Sequence, residues 1–175
     1  MPGVQFSSSD PLGIDLWSQS FYMHGFTSDQ LGFTVDGIAL GGQGYESHDG
    51  VPVNRVISNE NISHTDVSQG AGGLDTPSTS NLGGTVRFYS DDPSDKMGGK
   101  VSQTFGSYNA FRTFARFDSG KLNKSGTKFY MSYDRRAEDK WLGGDSQFQQ
   151  MVNTKLVQPI NDHTTFKAYF DWSSE

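Results

Sequence analysis

Cysteine is absent from the 175 residues, which excludes a disulfide scaffold and any thiolate metal site. That absence suits an oxidising compartment as well as a reducing one, so it does not locate the protein. Apolar residues are also scarce, at 33% against 21 glycines, and a large aliphatic core is not expected. No stretch approaches the roughly 18 apolar residues of a spanning helix, and MPGVQFSSSD lacks the basic head and apolar run of a secretion signal. Neither absence excludes a membrane, because a spanning β-strand needs only about 9 to 11 residues and alternates its faces, leaving no hydropathy peak. Positive charge is in short supply too: 14 Lys and Arg face 20 Asp and Glu, with no basic cluster to track a phosphate backbone. Nucleic acid is not an expected partner.

Catalytic signatures are missing as well. His24, His48, His64 and His163 are scattered without paired ligand spacing, and read as exposed polar side chains rather than a metal site. No GxSxG elbow occurs, and the glycines from Gly70 to Gly73 are followed by no Gly-Lys-Ser/Thr and no helical pattern, so they are not a phosphate loop. Asn61-Ile62-Ser63 matches a glycosylation acceptor, a tripeptide common by chance. Neither an enzyme nor a cofactor is expected.

What the chain does have is ring surface and turns. Aromatic residues make up 13%, with 13 Phe and 7 Tyr, which favours strands over helices. The organising stretch is Asp66 to Phe88, where a strand signal breaks into a Gly/Ser/Thr/Asn loop and recovers as a second strand in which Gly83 and Gly84 permit close backbone approach. Before it the signals are short. Asp10-Pro11-Leu12-Gly13 reads as a turn, and Asp36-Gly37 between Gly32–Val35 and Ile38–Leu40 reads as a tight hairpin, since Gly accepts the positive φ required. Gly41 to Asn54 is a polar loop around Tyr45, and 56–67 reads as a short helical turn capped by Ser58 or Asn59, then a strand from His64.

After Asp91-Asp92-Pro93 come five candidate strands: Gly99 to Phe105, Ala110 to Ser119, Thr127 to Arg135, Phe148 to Val157 and Thr164 to Trp172. Their period is two. Phe111, Thr113, Ala115 and Phe117 share one face against Arg112, Phe114, Arg116 and Asp118; Phe129, Met131 and Tyr133 oppose Lys128 and Asp134; Phe166, Ala168, Phe170 and Trp172 oppose Lys167, Tyr169 and Asp171. Charge is expected to keep to one face. Alternation alone does not separate a lipid-facing barrel from a soluble sheet with one buried side. The links through 123–126 and 158–163 are expected to be short and 137–147 long, as in a barrel with unequal ends.

Three motifs in order carry a resemblance. Met23-His24-Gly25-Phe26, then Phe33-Thr34-Val35-Asp36-Gly37-Ile38, then Asp66-Val67-Ser68-Gln69-Gly70 with Leu82-Gly83-Gly84-Thr85-Val86-Arg87-Phe88, resemble the plug domain of TonB-dependent outer-membrane receptors. His24 and Gln69 stand where the family has arginines that help lock plug to barrel, which puts an always-charged lock in doubt. No energy-coupling box is found at Met1-Pro2-Gly3-Val4, where the chain is expected to begin inside the plug.

The resemblance implies a mainly β chain: a small α+β plug over residues 1–95 with its N-terminal part missing, then about five antiparallel strands over 96–175 that begin a transmembrane β-barrel. It implies active transport of a scarce large solute, such as a siderophore-iron complex, a cobalamin or an oligosaccharide, across a bacterial outer membrane, with the periplasmic TonB energy-coupling protein, the outside ligand and membrane lipid as partners. Ligand contact is expected at Gln43 and Tyr45, where glycines admit a large solute and the two side chains offer a ring and hydrogen-bonding groups, with His24 a secondary position. The competing expectation is a soluble or surface-exposed β-rich binding module without transport activity.

Overall fold

Short apolar runs and tight turns build the first part of the chain. In this computed structural model, which describes residues 3–10, 12–15, 19–41, 50–70, 77, 81–140 and 144–175, the chain divides into two compact units, Met1–Asp91 and Asp92–Glu175.

The first unit holds two sheets. Strands β1 (Val4–Ser7), β2 (Ser20–Met23) and β3 (Phe26–Thr27) form an antiparallel sheet. Strands β4 (Leu31–Val35), β5 (Ile38–Leu40), β6 (Ile62–Gln69) and β7 (Gly84–Ser90) form a mixed sheet in the order β5-β4-β7-β6, with β4 and β7 parallel. Met23 of β2 with Leu31, Phe33 and Val86 of the mixed sheet make the unit's buried core, flanked by Phe21, Phe26 and Phe88, and Phe21 meets Phe33 edge-on at 5.6 Å. Gly83 exists for this packing: a Cβ there would lie 2.4 Å from the Phe26 side chain. Among the described residues, helix is confined to 3-10 turns at Ser28–Gln30, Val53–Arg55 and Asn59–Asn61.

Asp36 and Gly37 form the expected hairpin, both with positive φ (49° and 82°). Asp36 does more than turn the chain. Its amide donates to the Phe88 carbonyl at 3.0 Å, and its carboxylate accepts from the Ser90 amide at 2.9 Å and from the Ser90 hydroxyl, clamping the hairpin to the end of β7. In the Asp10 turn the carboxylate accepts from the amides of Ile14 and Asp15, each at 2.9 Å. The segment after Val56 differs from expectation: Ser58 precedes the 3-10 turn without a side-chain capping bond, and the strand begins at Ile62 rather than His64, because pairing with Ser90 already starts there.

The second unit is a five-stranded antiparallel meander: β8 (Met97–Phe105), β9 (Phe111–Ser119), β10 (Lys128–Asp139), β11 (Ser146–Asn161) and β12 (Thr164–Ser174), in the order β12-β11-β10-β9-β8. Every expected strand is present. Strand lengths run from 9 residues in β8 and β9 to 16 in β11, all within reach of a bilayer core that needs about 9 to 11. The sheet does not close on itself, so β8 and β12 are edges. The ladder reaches into the expected 137–147 loop from both sides, because polar pairs extend it: Glu138 faces Gln147, whose amide donates to Glu138 at 2.6 Å, and Asp139 faces Ser146. The link at 120–127, closed by the Asn123 side chain on the Thr127 amide at 3.0 Å, is the longer of the two. Unequal link length therefore does not orient this sheet.

Candidate functional site

The two faces of the meander differ in a way that residue identity alone left open. Register aligns Phe117 with Met131, Thr154 and Phe170 in one row, and Val101 with Ala115, Tyr133, Val152 and Trp172 in the next. Apolar side chains of these rows are the exposed ones: Val101 is 78% accessible, Phe170 61% and Met131 53%. The opposite face carries the charge, and there Arg116, Asp118, Asp134, Arg136, Glu138, Asn153 and Lys155 are buried. A soluble sheet with one wet side shows the reverse. The face assignments made from the period-two pattern agree with this register, with one exception: Arg135, counted as a strand terminus, lies inside β10 on the apolar face. Charge does not keep strictly to one side.

The buried charges neutralise one another. Asp134, 1% exposed, accepts from Arg112 Nη2 at 2.6 Å and from Arg136 Nη2 at 3.1 Å. Arg116 pairs with Asp118 at 2.9 Å and lies over the Tyr130 ring at 4.0 Å, a cation–π contact in a site with little water. Ahead of β8, a strap of acidic residues is held by lysines. Asp92 bridges Lys155 (2.7 Å) and Lys167 (2.9 Å), while Asp95 bridges Lys121 and Lys128, both at 2.7 Å. Burial raises the Asp92 pKa, but hydrogen bonds from Lys155 and Lys167 outweigh it and hold the carboxyl below its ordinary value. Hydrogen bonds from Lys121 and Lys128 pull Asp95 down to about 2. Nothing in these pairings supplies a nucleophile beside a free base; they are fastenings.

Of the sequence-derived ligand positions, Gln43 and Tyr45 lie outside the described residues. His24 is visible. With Gly25 it forms the two-residue link from β2 to β3, both in the left-handed region (φ 50° and 87°), and its amide donates to the Gly3 carbonyl at 2.8 Å. The imidazole rests on Gly3, where a Cβ would lie 2.3 Å from Cε1. Together with Val4, Gln5 and Tyr22 these residues line a surface groove of about 440 Å³. Gln69 closes β6 opposite Gly84. Sequence reasoning missed a stack of the exposed His64 on the half-buried Tyr89, centroids 4.3 Å apart, although the two are cross-strand partners in β6 and β7. Among the described residues, no group of three or more His, Asp or Glu is placed to hold a metal ion.

No family model matches the chain, and no curated protein matches it. Solved structures do. The pyoverdine outer-membrane receptor FpvA from Pseudomonas aeruginosa PAO1, bound to pyoverdine, superposes with a TM-score of 0.71 at 20% identity over 98% of this chain and 23% of its own. The FpvAI–pyocin S2 complex gives 0.72 at 22% identity over 98% and 21%. The ferric yersiniabactin uptake receptor FyuA from Yersinia pestis gives 0.70 at 16% identity over 99% and 28%. This chain thus spans between about a fifth and just over a quarter of these receptors. In fold, it corresponds to the plug domain and opening barrel strands of the TonB-dependent outer-membrane siderophore receptors that its motifs resemble.

Proposed function

We propose that this chain supplies the plug and the first five strands of an outer-membrane active transporter of the TonB-dependent type, residing in a bacterial outer membrane. The observation that carries the reading is the inverted sheet. Exposed Phe, Met, Tyr and Trp on one side and buried, paired Arg, Asp and Lys on the other suit lipid outside and a polar lumen within. The same pattern argues against a soluble binding module, which would leave its apolar side in water. The open edges at β8 and β12 fit a barrel completed by further strands.

In this reading residues 1–95 form the plug and 96–175 the start of the barrel. The solute is a large, scarce compound taken from outside; a siderophore-iron complex is favoured, since the matched receptors are described with pyoverdine and ferric yersiniabactin. Ligand contact falls to Gln43 and Tyr45, with His24 and its groove contributing less. TonB drives the cycle from the periplasm.

Uptake of a labelled iron–siderophore complex by cells producing the intact protein, with and without TonB, tests the proposal. Accumulation that vanishes without TonB is expected. A protein that fractionates with soluble material and gives no TonB-dependent uptake of any chelate, cobalamin or oligosaccharide would overturn it.

A further inference from the structure

One row crosses the outward face of the meander without an apolar side chain: Gln103, Thr113, Arg135, Gln150 and Ser174, aligned by register across all five strands. Apolar rows lie on both sides of it, Val101, Ala115, Tyr133, Val152 and Trp172 on one and Phe105, Phe111, Ala137 and Phe148 on the other. Arg135 is exposed, and its guanidinium carbon sits 5.6 Å from the Phe111 ring centroid, so the side chain leans away from the Tyr133 and Trp172 row. Among the described residues it makes no ion pair. Asp139, the other charged outward residue of β10, lies at the strand's end and accepts from the Asn109 amide.

An unpaired guanidinium is costly at the middle of a bilayer and tolerated at headgroup depth, where a phosphate is the available counter-charge. Gln150, directly opposite Arg135, accepts a hydrogen bond from Tyr133 through Oε1 at 2.9 Å, so its Nε2 is turned to serve as a second donor on the same face. We propose that Arg135 and Gln150 bind the phosphate of an anionic phospholipid, whose acyl chains lie along Tyr133, Val152, Trp172, Met131 and Phe170. A planar fork of donors above an apolar slope matches a headgroup followed by its tails. This inference rests on the barrel reading, since it requires the face to meet lipid.

The test uses the intact protein reconstituted in phosphatidylcholine vesicles with and without phosphatidylglycerol, read by melting temperature and by native mass spectrometry of retained lipid. Phosphatidylglycerol is expected to raise the melting temperature and to be retained preferentially; Arg135→Gln loses both effects, and Arg135→Lys keeps part of each. Undiminished preference in Arg135→Gln overturns the site. An equal gain from inorganic phosphate in phosphatidylcholine overturns the lipid assignment, and loss of self-association in Arg135→Gln reassigns the row to contact between copies. Quenching of Trp172 by brominated phosphatidylcholine, with every other tryptophan of the intact protein, Trp17 and Trp141 included, replaced by Phe, separates the layers. Its absence removes the barrel reading itself, whereas quenching without headgroup preference removes only the site.

Discussion

Lys155 Nζ lies 2.7 Å from Asp92 Oδ1, and the lysine is 4% exposed while its partner is 43% exposed. One end of this pair is therefore inside and the other at the surface, and the same carboxylate takes Lys167 at 2.9 Å, so it fastens β11 and β12 together to the segment before β8. Asp92→Asn should destabilise by an amount between the ~1 kcal/mol of an exposed pair and the ~3 kcal/mol of a buried one. Urea unfolding of the protein in vesicles measures it, and a loss below that range would mean that Asp92 is not the main partner of Lys155.

The second carboxylate of the strap gives a pH signature. Asp95 has its pKa depressed from 3.8 to about 2 by Lys121 and Lys128, so its contribution is complete above 3.8 and is lost as pH falls through about 2. Melting temperature against pH should decline across that window, and Asp95→Asn should flatten the decline. An unchanged acid limb would show that solvent screens these exposed pairs completely.

On the outward face, Ala168→Arg should cost about 2 to 4 kcal/mol if the residue sits near mid-membrane, whereas Lys167→Ala removes a half-exposed ion pair worth about 1 kcal/mol or less. Equal folding losses for the two substitutions would contradict the assignment of faces.

The Asp36 clamp predicts a graded series. Asp36→Ala leaves the Ser90 amide without its acceptor and should cost about 1 to 3 kcal/mol, while Asp36→Asn keeps an acceptor and tolerates the positive φ, so it should cost less. Denaturation midpoints order the three proteins, and Asn as damaging as Ala would shift the weight to the carboxylate charge.

If the proposed ligand contacts are correct, Gln43→Ala combined with Tyr45→Ala should weaken binding of the proposed iron–siderophore ligand at least about tenfold, or about 1.4 kcal/mol, with His24→Ala milder. Titration of the intact protein reads this, and unchanged affinity removes the loop from the site.

Local chemistry made much of this fold legible in advance. Asp36-Gly37 announces its hairpin because few residues accept the positive φ, and the strands after Asp91 announce themselves because aromatic and charged residues alternate. The ends of β10 and β11 were hidden, since Glu138, Asp139, Ser146 and Gln147 pair through polar groups and carry no apolar period. Arg135 was countable from Met131 and Tyr133 in steps of two, yet an early strand boundary kept it out of the face. The Asp92–Lys167 bridge joins positions 75 apart in the chain, and no local pattern marks either one. Which side of the sheet is exposed was equally beyond the pattern, because alternation is symmetric between its two faces.

The alternation in β10 has a practical corollary in a chain without cysteine. Phe129, Met131, Tyr133 and Arg135 stand on one face at intervals of about 6.8 Å along the strand. A cysteine placed at each in turn would be the sole thiol in this chain, and a fluorophore attached to it would report one depth. On the barrel reading the strand is a graduated ruler, and the position along it where a label passes from hydrocarbon to water marks the height of the membrane surface against residue number.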